Sequence, residues 1–156
     1  GAHFNPVVSL IFWFKKIISL MDLVAYVLFQ IIGAIFGCLA ANIIFGLPVI
    51  TISTHVRHDL SQFLSEILAT FGLVVVIFLA REVARQNIPI LVGSYIASAY
   101  WFSSSTSFAN PAVTIARQFS DTFTGISPSG IPSFVLAQIF GAILGYIVVQ
   151  WLSRDM

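Results

Sequence analysis

Residues 107–117 read SFANPAVTIAR, and residues 1–10 read GAHFNPVVSL. In each stretch an Asn-Pro pair opens a short apolar run, Pro111 to Phe119 after Asn110 and Pro6 to Phe14 after Asn5. Asn is a favoured N-cap and Pro a favoured first helical residue, because proline lacks an N–H that would be unsatisfied there anyway. The pairs therefore predict two helix N-termini. Each run is about half of the roughly 20 residues that a membrane crossing requires, so both read as re-entrant half-helices.

The rest of the chain demands a bilayer around them. Of its 156 residues 58% are apolar and only 8% charged, with a mean hydropathy of +0.99, which excludes a soluble domain. Net charge is +1 and no basic run exceeds Lys15-Lys16, leaving no electrostatic footprint for nucleic acid. The single cysteine, Cys38, lies in an apolar stretch and permits neither a disulfide nor a cysteine metal cluster within the chain, so it reads as a packing residue. No nucleophile, base and orienting group share a recognisable spacing, which argues against an enzyme. No cofactor or metal site is implied; His55 and His58 form a weak pair in a loop with Arg57 and Asp59, read as solvated.

Four apolar runs approach spanning length, at about residues 22–45, 61–80, 88–102 and 132–152, the third being short. They belong to a duplicated unit. HFNPVVSL resembles FANPAVTI, and QIIGAIFG at 30–37 matches QIFGAILG at 138–145 at six of eight positions. The Asn-Pro pairs stand 105 residues apart and the glutamines 108, so both copies keep nearly the same internal spacing. Three crossings separate the two half-helices, which inverts the second copy, and inverted repeats with broken helices are a transport architecture. With the loop after the second span inside, Lys15, Lys16, Arg81, Arg85 and Arg154 are cytoplasmic against Arg57 and Arg117 outside, as the positive-inside tendency prefers. Trp13, Trp101 and Trp151 fall near segment ends, where interfacial aromatics collect.

If both half-helices start near the midplane, each places about half a positive charge there and opposes cations, while the Asn amides donate hydrogen bonds to a passing oxygen. Irregular backbone at that depth must be buried or line a watery cavity, and Ser103 to Ser107, SSSTS, offers polar lining. Glu66 is the acidic residue well inside a spanning segment, a costly position that calls for an assigned partner. Gly33, Gly37, Gly141 and Gly145 form small-x-x-x-small faces suited to close helix packing.

With these residues the chain resembles the major intrinsic protein family, the aquaporins and aquaglyceroporins. GAHFNPVVSL is similar to the family's first Asn-Pro-Ala loop and half-helix and SFANPAVTIAR to its second; the Gln-x-x-Gly-Ala-x-x-Gly segments resemble its third and sixth helices, and LSEILATFGLVVVIF its fourth. The resemblance implies an all-α membrane protein with an aquaporin-like inverted repeat, here four transmembrane helices plus two re-entrant half-helices. The whole of 1–156 forms one channel domain, with the first half-helix and third helix in 1–46 and the second repeat in 60–156 around half-helix 111–119. The family has six spans, so its first and second helices are expected to be missing. The sequence, opening on Gly-Ala-His, is expected to be a fragment.

By this resemblance Asn5, Pro6, Val7 and Asn110, Pro111, Ala112 form the midplane motifs, with Val7 in place of the usual Ala. The selectivity filter is Ser98, Ser107 and Val113, with Val113 where the family usually places arginine and a fourth member on the absent second helix. All three are small and uncharged, which implies a filter wider than that of a strict water channel. Glu66 would brace the half-helix by accepting hydrogen bonds from loop backbone, Gln30 and Gln138 would make related buried contacts, and His3 would sit packed near the cytoplasmic mouth. Arg117, one turn beyond Val113, either tunes the outer vestibule or sits where a helix C-terminus favours a cation.

The expected function is a passive channel for water and small uncharged solutes, such as glycerol-like polyols, urea or neutral metalloid hydroxides including arsenite. Its partners would be the lipid bilayer and these solutes, its assembly a homotetramer and its location the plasma membrane, as a multi-pass protein of the bacterial inner membrane. An ion- or proton-coupled secondary transporter shares the architecture but calls for paired intramembrane carboxylates or histidines. A structural or non-functional remnant of the family is the third reading.

Overall fold

The computed structural model describes residues 1–155, and among these the regular structure is entirely helical. Six α-helices follow one another: α1 Pro6–Phe14, α2 Leu20–Ile44, α3 Leu60–Val83, α4 Ile88–Phe102, α5 Pro111–Ala116 and α6 Ile131–Leu152. Both Asn-Pro pairs begin helices. α5 continues through a 3₁₀ turn at Arg117–Phe119, so the second short element closes at residue 119.

Local chemistry sets the ends of the long helices. Ser19 and Asp22 form a capping box at the start of α2: the Asp22 N–H donates to Ser19 Oγ at 3.0 Å and the Ser19 N–H to Asp22 Oδ2 at 3.0 Å. At its other end Gly46 adopts φ 69°, and the N–H groups of Gly46 and Leu47 donate to the carbonyls of Ile43 and Asn42 at 3.0 and 2.8 Å. Those two bonds make a Schellman cap, which needs the left-handed glycine, and Pro48 prevents further helix.

Three described segments are long and apolar enough to cross a bilayer: α2, α3, and α6 with its preceding turn from Pro128. The remaining expected span, α4, has 15 residues. At about 1.5 Å per residue it extends roughly 22 Å against a hydrocarbon core of about 30 Å. The chain is a multi-pass membrane protein.

The structure divides into two compact units. The first holds Gly1–His58 and Asn110–Val135, hence α1, α2, α5 and the start of α6. The second holds Asp59–Ala109 and the chain from Leu136 onward, hence α3, α4 and most of α6. In the first unit α5 packs on α2, and α1 packs on both. In the second, Ala69, Leu73 and Ala109 form a buried cluster against which Ile77, Val92 and Tyr95 pack.

Glycines set the helix spacing in the second unit. A Cβ on Gly141 would strike the Ile67 carbonyl oxygen, and one on Gly145 would come within 2.8 Å of the Phe71 carbonyl. α6 therefore approaches the backbone of α3 as closely as glycine allows. Their repeat counterparts, Gly33 and Gly37 on α2, have no atom within 4 Å of such a Cβ among the described residues.

Candidate functional site

In the first unit each asparagine caps its own half-helix. Asn5 Oδ1 accepts from the Val7 N–H at 3.1 Å, and Asn110 Oδ1 from the N–H groups of Ala112 and Val113 at 3.0 and 3.4 Å. Capping by the oxygen turns the amide nitrogen away from the helix, and Asn110 Nδ2 donates to the Phe4 carbonyl at 2.8 Å. The second motif thus reaches the residue immediately before the first. Pro6, Val7, Pro111 and Ala112 are buried just behind these caps.

The backbone before the two asparagines has the same shape. Ala2 and Phe4 precede Asn5 by three and one positions with φ 60° and 53°; Ser107 and Ala109 precede Asn110 likewise with φ 48° and 47°. Left-handed backbone in non-glycine residues is costly, about 1–3 kcal/mol each, and persists only where surroundings enforce it. No glycine marks these positions, so nothing in the sequence announced them.

The enforcing group in the second unit is Glu66, fully buried on α3. Its Oε1 accepts from Ser105 Oγ at 2.6 Å and the Phe108 N–H at 2.8 Å; its Oε2 accepts from the Ala109 N–H at 2.9 Å and Gln138 Nε2 at 2.7 Å. Four donors use the four lone-pair sites of one carboxylate. The polar tract 103–107, read as lining, is partly consumed by the same scaffold: Ser105 is fully buried, its hydroxyl held on Glu66, and Ser104 Oγ donates to the Ser61 carbonyl at 3.3 Å.

Around α1 a different polar chain forms. Gln30 Nε2 donates to Ser9 Oγ at 3.0 Å, and Ser9 Oγ lies 3.0 Å from His3 Nδ1. The His3 ring stacks between Phe12 and Tyr26, with centroids 4.1 and 4.6 Å away. His3, Gln30, Ala112 and Val113 line a cavity of about 590 Å³.

The three expected filter residues differ in setting. Ser98 is exposed on α4, its hydroxyl donating to the Ser94 carbonyl at 2.8 Å. Ser107 is buried in the same unit, and its N–H donates to Ser105 Oγ at 3.1 Å. Val113 belongs to the first unit, where it is half-buried and lines both the cavity beside His3 and a larger one of about 690 Å³. Arg117 lines that larger cavity as well, at the C-terminus of α5, with Nη1 donating to Thr124 Oγ1.

Sequence reading passed over the bonds that hold the loop carrying Thr122 and Thr124 of this cavity. Arg57, expected in a solvated loop, is 5% exposed: its Nε donates to the Gly125 carbonyl at 2.7 Å and Nη2 to the Phe123 carbonyl at 2.6 Å. His55 and His58 beside it are exposed, and no cluster of three metal-ligating side chains exists among the described residues. Buried Asn42 donates through Nδ2 to the carbonyls of Val49 and Phe119, each at 3.0 Å. Asp121 holds the opposite strand of the loop, accepting from the Thr54 N–H at 2.9 Å and Thr54 Oγ1 at 3.1 Å. The Thr54 N–H foremost holds the Asp121 carboxyl below the usual carboxylate range. An asparagine inside an otherwise apolar helix was a legible signal; Arg57 had none, because its partners are carbonyls.

Known proteins are similar to this chain in sequence. The family model described as Major intrinsic protein matches residues 1–107. The chain is 47% identical over 154 residues to Aquaglyceroporin AqpS of Rhizobium meliloti (strain 1021), covering 99% of itself and 66% of that protein. It is 26% identical over 169 residues to Aquaporin AqpM of Methanothermobacter marburgensis, covering 99% of itself and 69% of that protein. Against Aquaporin-4 of Mus musculus it is 32% identical over 149 residues, covering 90% of itself and 41% of that protein. No solved structure matches the chain. With more than half of its length matched by the family model and nearly all of it aligned to an aquaglyceroporin at 47% identity, the chain belongs to the major intrinsic protein family.

Proposed function

We propose that the protein is a passive channel for water and small uncharged solutes, selected by a wide filter without arginine. The observation that carries this reading is the junction of the two Asn-Pro motifs, where the amide of Asn110, the N-cap of α5, donates to the carbonyl of Phe4, the residue before Asn5, the N-cap of α1. Helix N-termini oppose cations, and an amide can replace a solute's lost water contacts without tight binding. The aquaglyceroporin and aquaporin names of its relatives support a channel rather than an enzyme.

The finer reading assigns the filter to Ser98, Ser107 and Val113, with Asn5, Pro6, Val7, Asn110, Pro111 and Ala112 at the midplane. Three small uncharged side chains favour glycerol-like polyols, urea and neutral metalloid hydroxides over water alone. Glu66 and Gln138 brace the loop before Asn110; His3 and Gln30 hold the loop before Asn5. The working assembly is a homotetramer in a bacterial inner membrane.

The test is shrink-swell light scattering of proteoliposomes containing the full-length protein. Glycerol and arsenous acid are expected to cross faster than in empty vesicles, with no ionic current. Solute-coupled proton or cation current, or impermeability to every neutral solute tried, overturns the reading.

A further inference from the structure

The larger cavity of the first unit is bounded on one side by small residues of α2 and on the other by Arg117, Ser120, Thr122 and Thr124. Arg117 is the lining residue with a formal charge; Asp121, next along the loop, lines instead a separate cavity of about 190 Å³ and turns its carboxylate to Thr54. The guanidinium is also positioned. Its Nη1 donates to Thr124 Oγ1, and the residues flanking Thr124 are those whose carbonyls buried Arg57 holds. Val113 shares the cavity, four residues earlier and thus about 6 Å back along the helix axis.

We propose that Arg117 is a second cation barrier of this channel, added to the opposition set by the two helix N-termini. A fixed positive charge one turn beyond Val113 rejects cations, protons included, while the passage at Val113 stays wide for uncharged hydroxylated solutes. The division separates size selection from charge selection, which a single filter arginine would combine. A unit charge facing the passage, in surroundings between water and protein in dielectric, lowers cation passage on the order of tenfold. This proposal rests on the channel reading.

The experiment uses full-length protein in liposomes carrying an internal pH dye, with proton flux driven by a valinomycin potassium potential and glycerol flux read on the same vesicles. Arg117→Gln is expected to raise the ratio of proton to glycerol permeability roughly tenfold, and Arg117→Lys to keep it near wild type. Adding Val113→Arg to Arg117→Gln should bring the proton flux itself back toward wild type, whatever it does to glycerol flux, which a merely structural role for Arg117 would not predict. Where Arg117→Gln fails to reconstitute, Thr124→Val, which keeps the charge but removes its anchor, is expected to raise the ratio severalfold. A glycerol-conducting Arg117→Gln or Thr124→Val protein with an unchanged ratio overturns the proposal, as does an Arg117→Lys protein that leaks like Arg117→Gln. A wild type that passes no neutral solute is a separate outcome, and it overturns the channel reading together with the barrier.

Discussion

Replacing Glu66 with Gln is the sharpest test of how the strained loop before Asn110 is held. The change keeps the shape and converts one acceptor oxygen into an NH₂ donor. Placed on the Oε1 side, that NH₂ faces Ser105 Oγ and the Phe108 N–H; on the Oε2 side, it faces Gln138 Nε2 and the Ala109 N–H. The Ser105 hydroxyl can rotate to accept, and the Gln138 amide can flip to present its oxygen. A backbone N–H can do neither. Either orientation therefore strands one buried N–H, Phe108 or Ala109, at a cost of about 1–3 kcal/mol.

For a chain of this size that loss corresponds to a fall in Tm of roughly 2–12 °C. Glu66→Ala, which leaves both N–H groups without an acceptor, should fall about twice as far. The assay is thermal unfolding of the purified protein in detergent, with glycerol flux in liposomes alongside. Flux should fall in both variants, because the left-handed loop before Asn110 loses one or both of the Phe108 and Ala109 bonds that hold it. A Glu66→Gln protein with wild-type Tm and flux would refute the argument that this carboxylate enforces the loop.

Three further expectations follow from the same geometry. Val113→Arg should narrow the filter and lower glycerol flux in liposomes; flux equal to wild type removes position 113 from the constriction. Gly141→Ala should destabilise by about 1–3 kcal/mol in thermal unfolding, since its Cβ would strike the Ile67 carbonyl, whereas Gly33→Ala should be neutral or stabilising by up to about 1 kcal/mol from helix propensity; equal losses at both sites contradict the packing described. Asp121, whose carboxyl is held below its ordinary range, adds stability to the loop above about pH 4, and that contribution is lost as pH falls through the folded value. The protection factor of the Thr54 amide, taken against the intrinsic exchange rate at each pH, should accordingly be high near neutrality and low in acid, and low at both in Asp121→Asn.

The helices and their starts were legible because their signals are local. An Asn-Pro pair caps a helix wherever it occurs, Ser19 and Asp22 lie at capping-box spacing, and apolar runs of 20 or so residues read directly as spans. What escaped was non-local. Arg57 binds the carbonyls of Phe123 and Gly125, and a carbonyl acceptor has no side-chain signature. The left-handed residues Phe4 and Ala109 escaped for the opposite reason: the residue types there disfavour the conformation, and bonds made by Asn110 and Glu66 from far along the chain help to hold it.

The repeat shows how far sequence likeness carries. Both copies hold the same backbone shape before their asparagine, and both contain Gln-x-x-Gly-Ala-x-x-Gly on a long helix, yet the two glutamines do different work. Gln138 donates to the Glu66 carboxylate, which grips the loop backbone directly. Gln30 donates to Ser9, inside the half-helix itself, and Ser9 in turn contacts His3 in the loop. The residue at the Ser9 position in the second copy, Thr114, bends its hydroxyl back to the Asn110 carbonyl. One copy is thus held by a charge and the other by a chain of neutral groups, so damage to the two should differ in kind. Loss of Glu66 removes a buried carboxylate acceptor from the Phe108 and Ala109 N–H groups, while loss of Ser9 leaves His3 still clamped between Phe12 and Tyr26 by stacking. The two copies share the backbone shape before the asparagine and differ in the bonds that hold it.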